Sequence, residues 1–202
     1  MDISEAYKFG TEQRVNKIAG VLSRRQLDLT VVAENISDPH NLSAMMRSCD
    51  AVGIASVCLV YHSGQPFPTL GEASSASARK WVETLKFRSI EECYKFLRQQ
   101  GFKIYTTHLA KDAVSLYELD LTQKVALVFG NEHSGVSDEA VGLADGNFLI
   151  PQVGMIQSLN ISVACAVSIY EAFRQRLLAG KYDHCQFEEQ AFVAKIKEWL
   201  LR

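Results

Sequence analysis

The seven residues KVALVFG (124–130) are the most apolar stretch of this 202-residue chain, and a second run of the same kind, LTVVAEN, spans 29–35. Neither alternates polar with apolar residues, so each reads as a strand buried on both faces, the pattern of a parallel sheet covered by helices. Outward from these two, SVCLVY (56–61), WVETLKF (81–87), FKIYTTH (102–108) and NFLIP (147–151) read as further strands. Helical segments alternate with them. Asp38 followed by Pro39 predicts an N-cap and first turn, and Leu42, Met45, Met46, Cys49 and Val52 keep helical spacing up to Gly53. Ser89 and Glu92 form a capping-box pattern for a helix ending at Gly101, and a short helix follows Ser137. Residues 4–25 read as one helix and 187–201 as a closing amphipathic one. The segment 158–180 reads as a long helix with Leu159, Val163, Ala166, Tyr170, Phe173 and Leu177 on one stripe. A polar loop, HSGQPFPTLG (62–71), leads into the small-residue stretch EASSASARKW (72–81). The expected fold is a single α/β domain over 1–202, a mostly parallel sheet with helices on both faces.

Composition narrows the function classes. At 48% hydrophobic and 22% charged residues, the chain excludes a disordered tail protein, a collagen-like repeat and a disulfide-stapled miniprotein. No apolar run approaches the ~18 residues that span a bilayer, and the opening MDISEAYKFGTEQR is too polar and acidic for a targeting peptide. The expectation is a cytoplasmic protein with no membrane partner. The five cysteines are odd in number and scattered without a CxxC pair, and the histidines show no HExxH spacing, so no metal site is expected. The net charge of −2 is unevenly spread. Residues 1–27 carry five basic and three acidic side chains, residues 174–202 six and four, and the middle ten and sixteen. Two basic ends around an acidic centre point to an anionic partner held at the ends, or to solvated faces of terminal helices.

In a parallel sheet, ligands bind beyond the carboxyl ends of the strands. The common nucleotide signatures are missing there. No GxGxxG follows the first strand, Val136 stands where a P-loop after Gly130 and Gly135 needs lysine, and no GxSxG elbow occurs. Three polar clusters do lie at strand ends: HNLSAMMR (40–47), FGNEHSG (129–135) and IPQVGMIQSLNIS (150–162). Each has a plain structural reading as turn or capping residues, but three at one sheet edge favour a site.

These clusters resemble motifs 1, 2 and 3 of the SpoU/TrmH branch of the SPOUT RNA methyltransferases. Asn41 and Arg47 match the first, Phe129, Gly130, Glu132 and Gly135 the second, and Ile150, Pro151, Gly154, Ser158, Leu159, Asn160, Ser162 and Ala164 the third. The resemblance covers about residues 24–181 and implies a SPOUT-type α/β knot, with a C-terminal deep trefoil knot whose loops hold S-adenosylmethionine. RRQLDLTV (24–31), DPHNLSAMMR (38–47) and YEAFRQRLLAGKY (170–182) resemble tRNA guanosine 2′-O-methyltransferases acting on the D-loop. Members often carry a longer tail, where here about twenty residues follow that last segment.

The resemblance implies S-adenosylmethionine-dependent 2′-O-methylation of a tRNA ribose, most closely the D-loop guanosine. An rRNA or anticodon-loop nucleotide as substrate, or an RNA-binding relative without activity, remains as an alternative. DNA, lacking the 2′-hydroxyl, is not an expected partner. The implied catalytic set is Arg47, Asn41, Glu132, Ser158 and Asn160, with Asn41 bracing Arg47 and Glu132 holding the motif 2 loop or pairing with an arginine. Thr107, Gly130, Ile150 and Leu159 are expected to line the cofactor pocket. The helical ends, about 1–27 and 174–202, are expected to grip RNA through Arg14, Arg24, Arg25, His40, Arg174 and Arg176, with Lys17 and Lys181 as further cations. Since Arg174 and Arg176 lie two residues apart on a helix, they point to different sides. A homodimer is implied, packed through the small-residue face of 159–178, with Arg14 or its neighbours completing the partner's site.

Overall fold

A computed structural model of the chain describes residues 2–62, 64–68, 78–108, 113–156 and 158–202. Of the expected polar loop 62–71 and the small-residue stretch 72–81, residues 63 and 69–77 lie outside the described residues. Among the described residues seven strands form one sheet in the order β3-β2-β1-β6-β4-β7-β5, every pairing parallel. They are β1 (Leu29–Glu34), β2 (Ser56–Val60), β3 (Glu83–Phe87), β4 (Lys103–Thr107), β5 (Val114–Ser115), β6 (Val125–Phe129) and β7 (Gly146–Leu149). The two most apolar runs, β1 and β6, are paired neighbours, with Val31 opposite Leu127 and every residue of both buried. The two-residue β5 is the one strand not expected; so short an edge segment carries no readable periodicity.

The helices are α1 (Glu12–Leu22), α2 (Pro39–Ala51), α3 (Ile90–Gln99), α4 (Asp138–Leu143), α5 (Ile161–Leu178) and α6 (Glu189–Leu200). Alternating side chains of the central strands feed two cores. Val31, Ala33, Leu127 and Phe129 pack with Leu42, Met45, Cys49, Cys165 and Ile169 of α2 and α5. On the other face, Val32, Ala126 and Val128 pack with Ile90, Tyr94, Leu97 and Ala140 of α3 and α4. Caps set the helix starts as expected: Asp38 accepts from the His40 N–H, Ser89 from Glu92 and Ser137 from Ala140. At the end of α2, Gly53 takes φ +83°, and a Cβ there would meet the Arg24 carbonyl oxygen at 2.9 Å.

Two expected helices are corrected. The segment 4–25 is broken: a short 3-10 turn, Ser4–Lys8, precedes α1, which Thr11 caps. Gly10 between them lets Leu200 of α6 close in, since a Cβ at Gly10 would lie 2.8 Å from its Cδ2. The long helix begins at Ile161 rather than 158, because Asn160 is its N-cap. Its buried side is Ala164, Cys165, Ser168, Ile169 and Ala172. Val163, Tyr170 and Leu177, read as the core stripe, face outward and are about half exposed. The helix is apolar on more than one face, so spacing alone did not tell the inner from the outer.

The chain ends pack on each other. Val15, Ile18 and Leu22 of α1 meet Phe192, Ile196, Trp199 and Leu200 of α6 in a third, separate core. Two of the arginines expected on RNA are buried here and nearby, which corrects that expectation. Arg25 is 1% exposed; its guanidinium pairs with Asp50 and donates to the Ile54 carbonyl at 2.9 Å. Arg176 is fully buried, paired with Asp28 and donating to the Leu121, Gln123 and Asp28 carbonyls and to Gln26. Lys181 is engaged by the same Asp28 at 2.9 Å. Arg174, two residues from Arg176, is 60% exposed and bonded only to Glu171 among the described residues. Arg14, Lys17, Arg24 and His40 are exposed.

Removing Arg176 would leave the Leu121, Gln123 and Asp28 carbonyls without their donor and take one of two cations from Asp28. Arg176→Ala should therefore lower unfolding free energy by about 3–5 kcal/mol, whereas Arg174→Ala should change it by under ~1 kcal/mol. Urea titration of both variants checks the contrast.

Candidate active site

A cleft of about 610 Å³ opens beyond the carboxyl ends of β4, β6 and β7, walled by residues 107–108, 130–136, 148–150 and 158–161. Its position follows from the parallel sheet, whose strands all end on this side. Thr107, Gly130, Ile150 and Leu159, expected around a cofactor, all line it, together with Glu132, Ser158 and Asn160. The Thr107 hydroxyl is engaged with the Val128 carbonyl at 3.1 Å. At Gly130 a Cβ would stand 2.1 Å from the Gly135 carbonyl oxygen, so this turn closes only on glycine. Asn131 and Gly135 exchange both backbone hydrogen bonds, at 2.9 and 2.8 Å, and Gly135 adopts φ +71°.

The centre of the site is a carboxylate. Glu132 accepts from the Ser37 N–H (3.0 Å) and hydroxyl (2.7 Å), the Asp38 N–H (3.1 Å) and Asn41 Nδ2 (2.9 Å). Asn41 Oδ1 in turn accepts from Asn160 Nδ2 at 3.1 Å. Asn160 Oδ1 takes the Ser162 N–H at 2.9 Å and its hydroxyl at 2.6 Å, which caps α5. One chain of hydrogen bonds thus joins all three clusters read from the sequence, across 91 and 119 residues. Partial burial opposes ionisation of Glu132. The donors Asn41 and Ser37 outweigh it and hold the carboxyl at about 2. At neutral pH Glu132 is an anion, and among the described residues it holds the loop through these donors and pairs with no arginine.

Arg47 is corrected in one respect. Six residues along α2 from Asn41, it stands about 9 Å further on and a third of a turn around. Asn41, engaged with Glu132 and Asn160, does not brace it. Arg47 is exposed and has no hydrogen bond or ion pair among the described residues. Ser158, exposed just ahead of the α5 cap, lines the cleft.

Two participants were missed. Asn131 donates to the Asn35 carbonyl at 2.8 Å and accepts the His133 and Ser134 N–H groups, tying the second loop to the end of β1. It lay inside the quoted cluster but reads as a turn residue. Asn35 holds φ +50°, a left-handed conformation that asparagine tolerates. Ser37 carried no signal, because its role depends on a residue 95 positions away.

The residues 28–170 match the model of the SpoU rRNA Methylase family. The chain belongs to that family. A Thermus thermophilus relative, a tRNA (guanosine(18)-2′-O)-methyltransferase, is 46% identical over 190 residues, covering 94% of this chain and 97% of its own. Among solved structures, the Aquifex aeolicus TrmH/SpoU tRNA modifying enzyme superposes with a TM-score of 0.88 at 37% identity, over 94% of this chain and 96% of that one. The SpoU methyltransferase AviRb of Streptomyces viridochromogenes, in complex with AdoMet, is similar at a TM-score of 0.68 and 26% identity, over 77% and 64%. The α/β fold expected from the resemblance is thus the fold of this family.

Because the Glu132 pKa is lowered from 4.5 to about 2, its ionisation stabilises the native state above pH 4.5, and that contribution disappears as pH falls from 4.5 through 2. Glu132→Gln should flatten stability across this window relative to the parent chain, seen as convergence of the two thermal midpoints toward pH 2.

Proposed function

We infer that this chain is an S-adenosylmethionine-dependent 2′-O-methyltransferase of tRNA, acting on a D-loop guanosine. The observation that carries the reading is the Glu132–Asn41–Asn160 connection, which joins the family's three motifs around one cleft. The cleft suits the cofactor. Its volume lies within the ~300–1,000 Å³ usual for small-molecule sites, and Gly130 leaves the backbone bare at its wall. Thr107, Gly130, Ile150 and Leu159 hold it. When bound, S-adenosylmethionine supplies an electrophilic methyl group for the ribose 2′-oxygen.

The chain's own work is to position and stabilise that oxygen. A ribose hydroxyl is a weak nucleophile at neutral pH. Arg47, exposed and without a hydrogen bond or ion pair among the described residues, takes the phosphate beside the reacting ribose and offsets the charge that develops on the 2′-oxygen. Its planar guanidinium suits bidentate contact with that phosphate. Ser158 and Asn160 orient the cleft's rim toward the RNA, and Glu132 keeps the loops in register. Arg14, Arg24, His40 and Arg174 supply exposed cations for the phosphates, with Lys17 beside them. The trefoil threading implied by the resemblance belongs to the same reading, supported by three distant loops closing one cleft.

The chain works as a homodimer in the cytoplasm. Five free cysteines, four of them buried, suit a reducing compartment, and no described helix is long and apolar enough to cross a membrane. Val163, Tyr170 and Leu177 recur at seven-residue spacing on the outward face of α5, and the loop before it exposes Val153, Met155 and Ile156. A second copy covers this face, bringing Arg14 or its neighbours to the partner's site.

Nucleoside mass spectrometry after incubation with tRNA and S-adenosylmethionine should detect 2′-O-methylguanosine, and none with the DNA analogue. Arg47→Ala should lower turnover on the order of a hundredfold with melting little changed, and Arg47→Lys should rescue poorly. Unmodified guanosine after exhaustive incubation of the parent enzyme would overturn the reading. Sedimentation should show a dimer, and Tyr170→Arg should yield folded monomers with reduced activity; a fully active monomer would remove the dimer from the mechanism.

A further inference from the structure

Among the described residues, Asn35 is the one non-glycine residue in the left-handed region, at φ +50°. Such a conformation persists only where the surroundings hold it, and it concentrates at functional sites. Three polar groups of Asn35 are engaged. Its N–H donates to the Val60 carbonyl at 2.9 Å, its Oδ1 accepts the His62 N–H at 3.4 Å, and its carbonyl accepts Asn131 Nδ2 at 2.8 Å. The first two bonds fix it to the end of β2. The third reaches the turn at 130–135, every residue of which lines the methyl-transfer cleft, while Asn35 itself lies outside that wall. One residue on, the Ile36 carbonyl accepts the Tyr61 hydroxyl at 2.8 Å, so the exit of β1 is anchored on the β2 side.

Asn131 serves this turn in two ways. Its Oδ1 collects the His133 and Ser134 N–H groups, which closes the turn on itself. Its Nδ2 fastens the turn to β1, and that bond needs the Asn35 carbonyl at an angle set by the Asn35 φ. We propose that Asn35 is a positioning residue for the cofactor, resting on the S-adenosylmethionine reading above: its left-handed backbone presents the carbonyl that holds the 130–135 turn in the shape the cofactor binds. Alanine resists this conformation because of its Cβ, whereas glycine adopts it freely. Where the latch opens, the cofactor must close it again, and its apparent affinity falls by the fraction of chains still closed. Once cofactor is bound the reacting geometry is that of the parent, so the loss falls on KM and not on kcat.

Asn35→Ala and Asn35→Gly remove the same side-chain bond, so the difference between them reports the backbone conformation. Calorimetry on the full-length protein should show S-adenosylmethionine binding about tenfold more weakly to Asn35→Ala than to Asn35→Gly. The KM for S-adenosylmethionine should rise by the same factor at unchanged kcat. The Ser37 and Ser137 N–H groups cross between the exit of β1 and the second loop, onto Glu132 and Glu34 at 3.0 Å each. Without cofactor their hydrogen exchange should be faster in Asn35→Ala than in Asn35→Gly, and saturating S-adenosylmethionine should remove the difference. Asn131→Asp keeps the acceptor for the two turn N–H groups but sets a carboxylate oxygen against the Asn35 carbonyl. It should match the loss in Asn35→Ala, and the double variant should lose no more than either alone. Equal cofactor affinity in Asn35→Ala and Asn35→Gly, or a loss confined to kcat, overturns the proposal. If Asn35→Ala does not fold, Asn131→Asp decides: unchanged cofactor affinity overturns the latch, and a raised KM at unchanged kcat supports it. A parent chain that binds S-adenosylmethionine without methyl transfer would remove the proposed reaction and leave the latch to the binding contrast. Normal methyl transfer with equal affinities in the two Asn35 variants would remove the latch alone.

Discussion

The Glu132 carboxylate is the constraint on which the active site depends. Four donors from residues 37 to 41 converge on its two oxygens, and one of them, Asn41, passes the connection on to the cap of α5. A charge-assisted set of this kind is stronger than neutral hydrogen bonds, and it acts between segments that loop entropy would otherwise hold apart. Its consequence is chemical. The loops are locked by an anion that does not titrate near neutrality, while Arg47 of the same set is exposed.

The buried arginines organise the opposite end in the same way. Arg176 gathers three carbonyls, a glutamine and the Asp28 carboxylate, so the last turns of α5 are bound to the approach to β1. Arg25 does likewise for α2 through Asp50. Guanidinium suits this use because its planar fork satisfies several acceptors at once. The basic excess at the chain ends is therefore partly internal. The terminal helices are a packed cap on the sheet with a third core of their own, and Arg14, Lys17 and Arg24 stay exposed outside it.

These features are separated in space. The cleft lies on the side of the strands' carboxyl ends, the outward face of α5 exposes Val163, Tyr170 and Leu177, and a second, indole-lined cavity sits where the strands begin.

Much of the fold was legible because local rules and burial agree in it. LTVVAEN and KVALVFG announce two-sided burial through unbroken apolar content, Asp38–Pro39 and Ser137 announce helix starts, and the three polar clusters fall at strand ends where a parallel sheet places ligands. The residue types needed at the cleft were likewise readable, since Gly130 and Glu132 sit in a short, dense pattern. What the sequence by itself determined was the set of elements and the candidates for chemistry. Which of two apolar faces of α5 turns inward, which of two neighbouring arginines reaches water, and what Ser37 and Asn131 do were decided only by the tertiary structure. The physical reason is common to all of them: each depends on a partner between 55 and 148 residues away, or on a helix face whose burial is set by its neighbours.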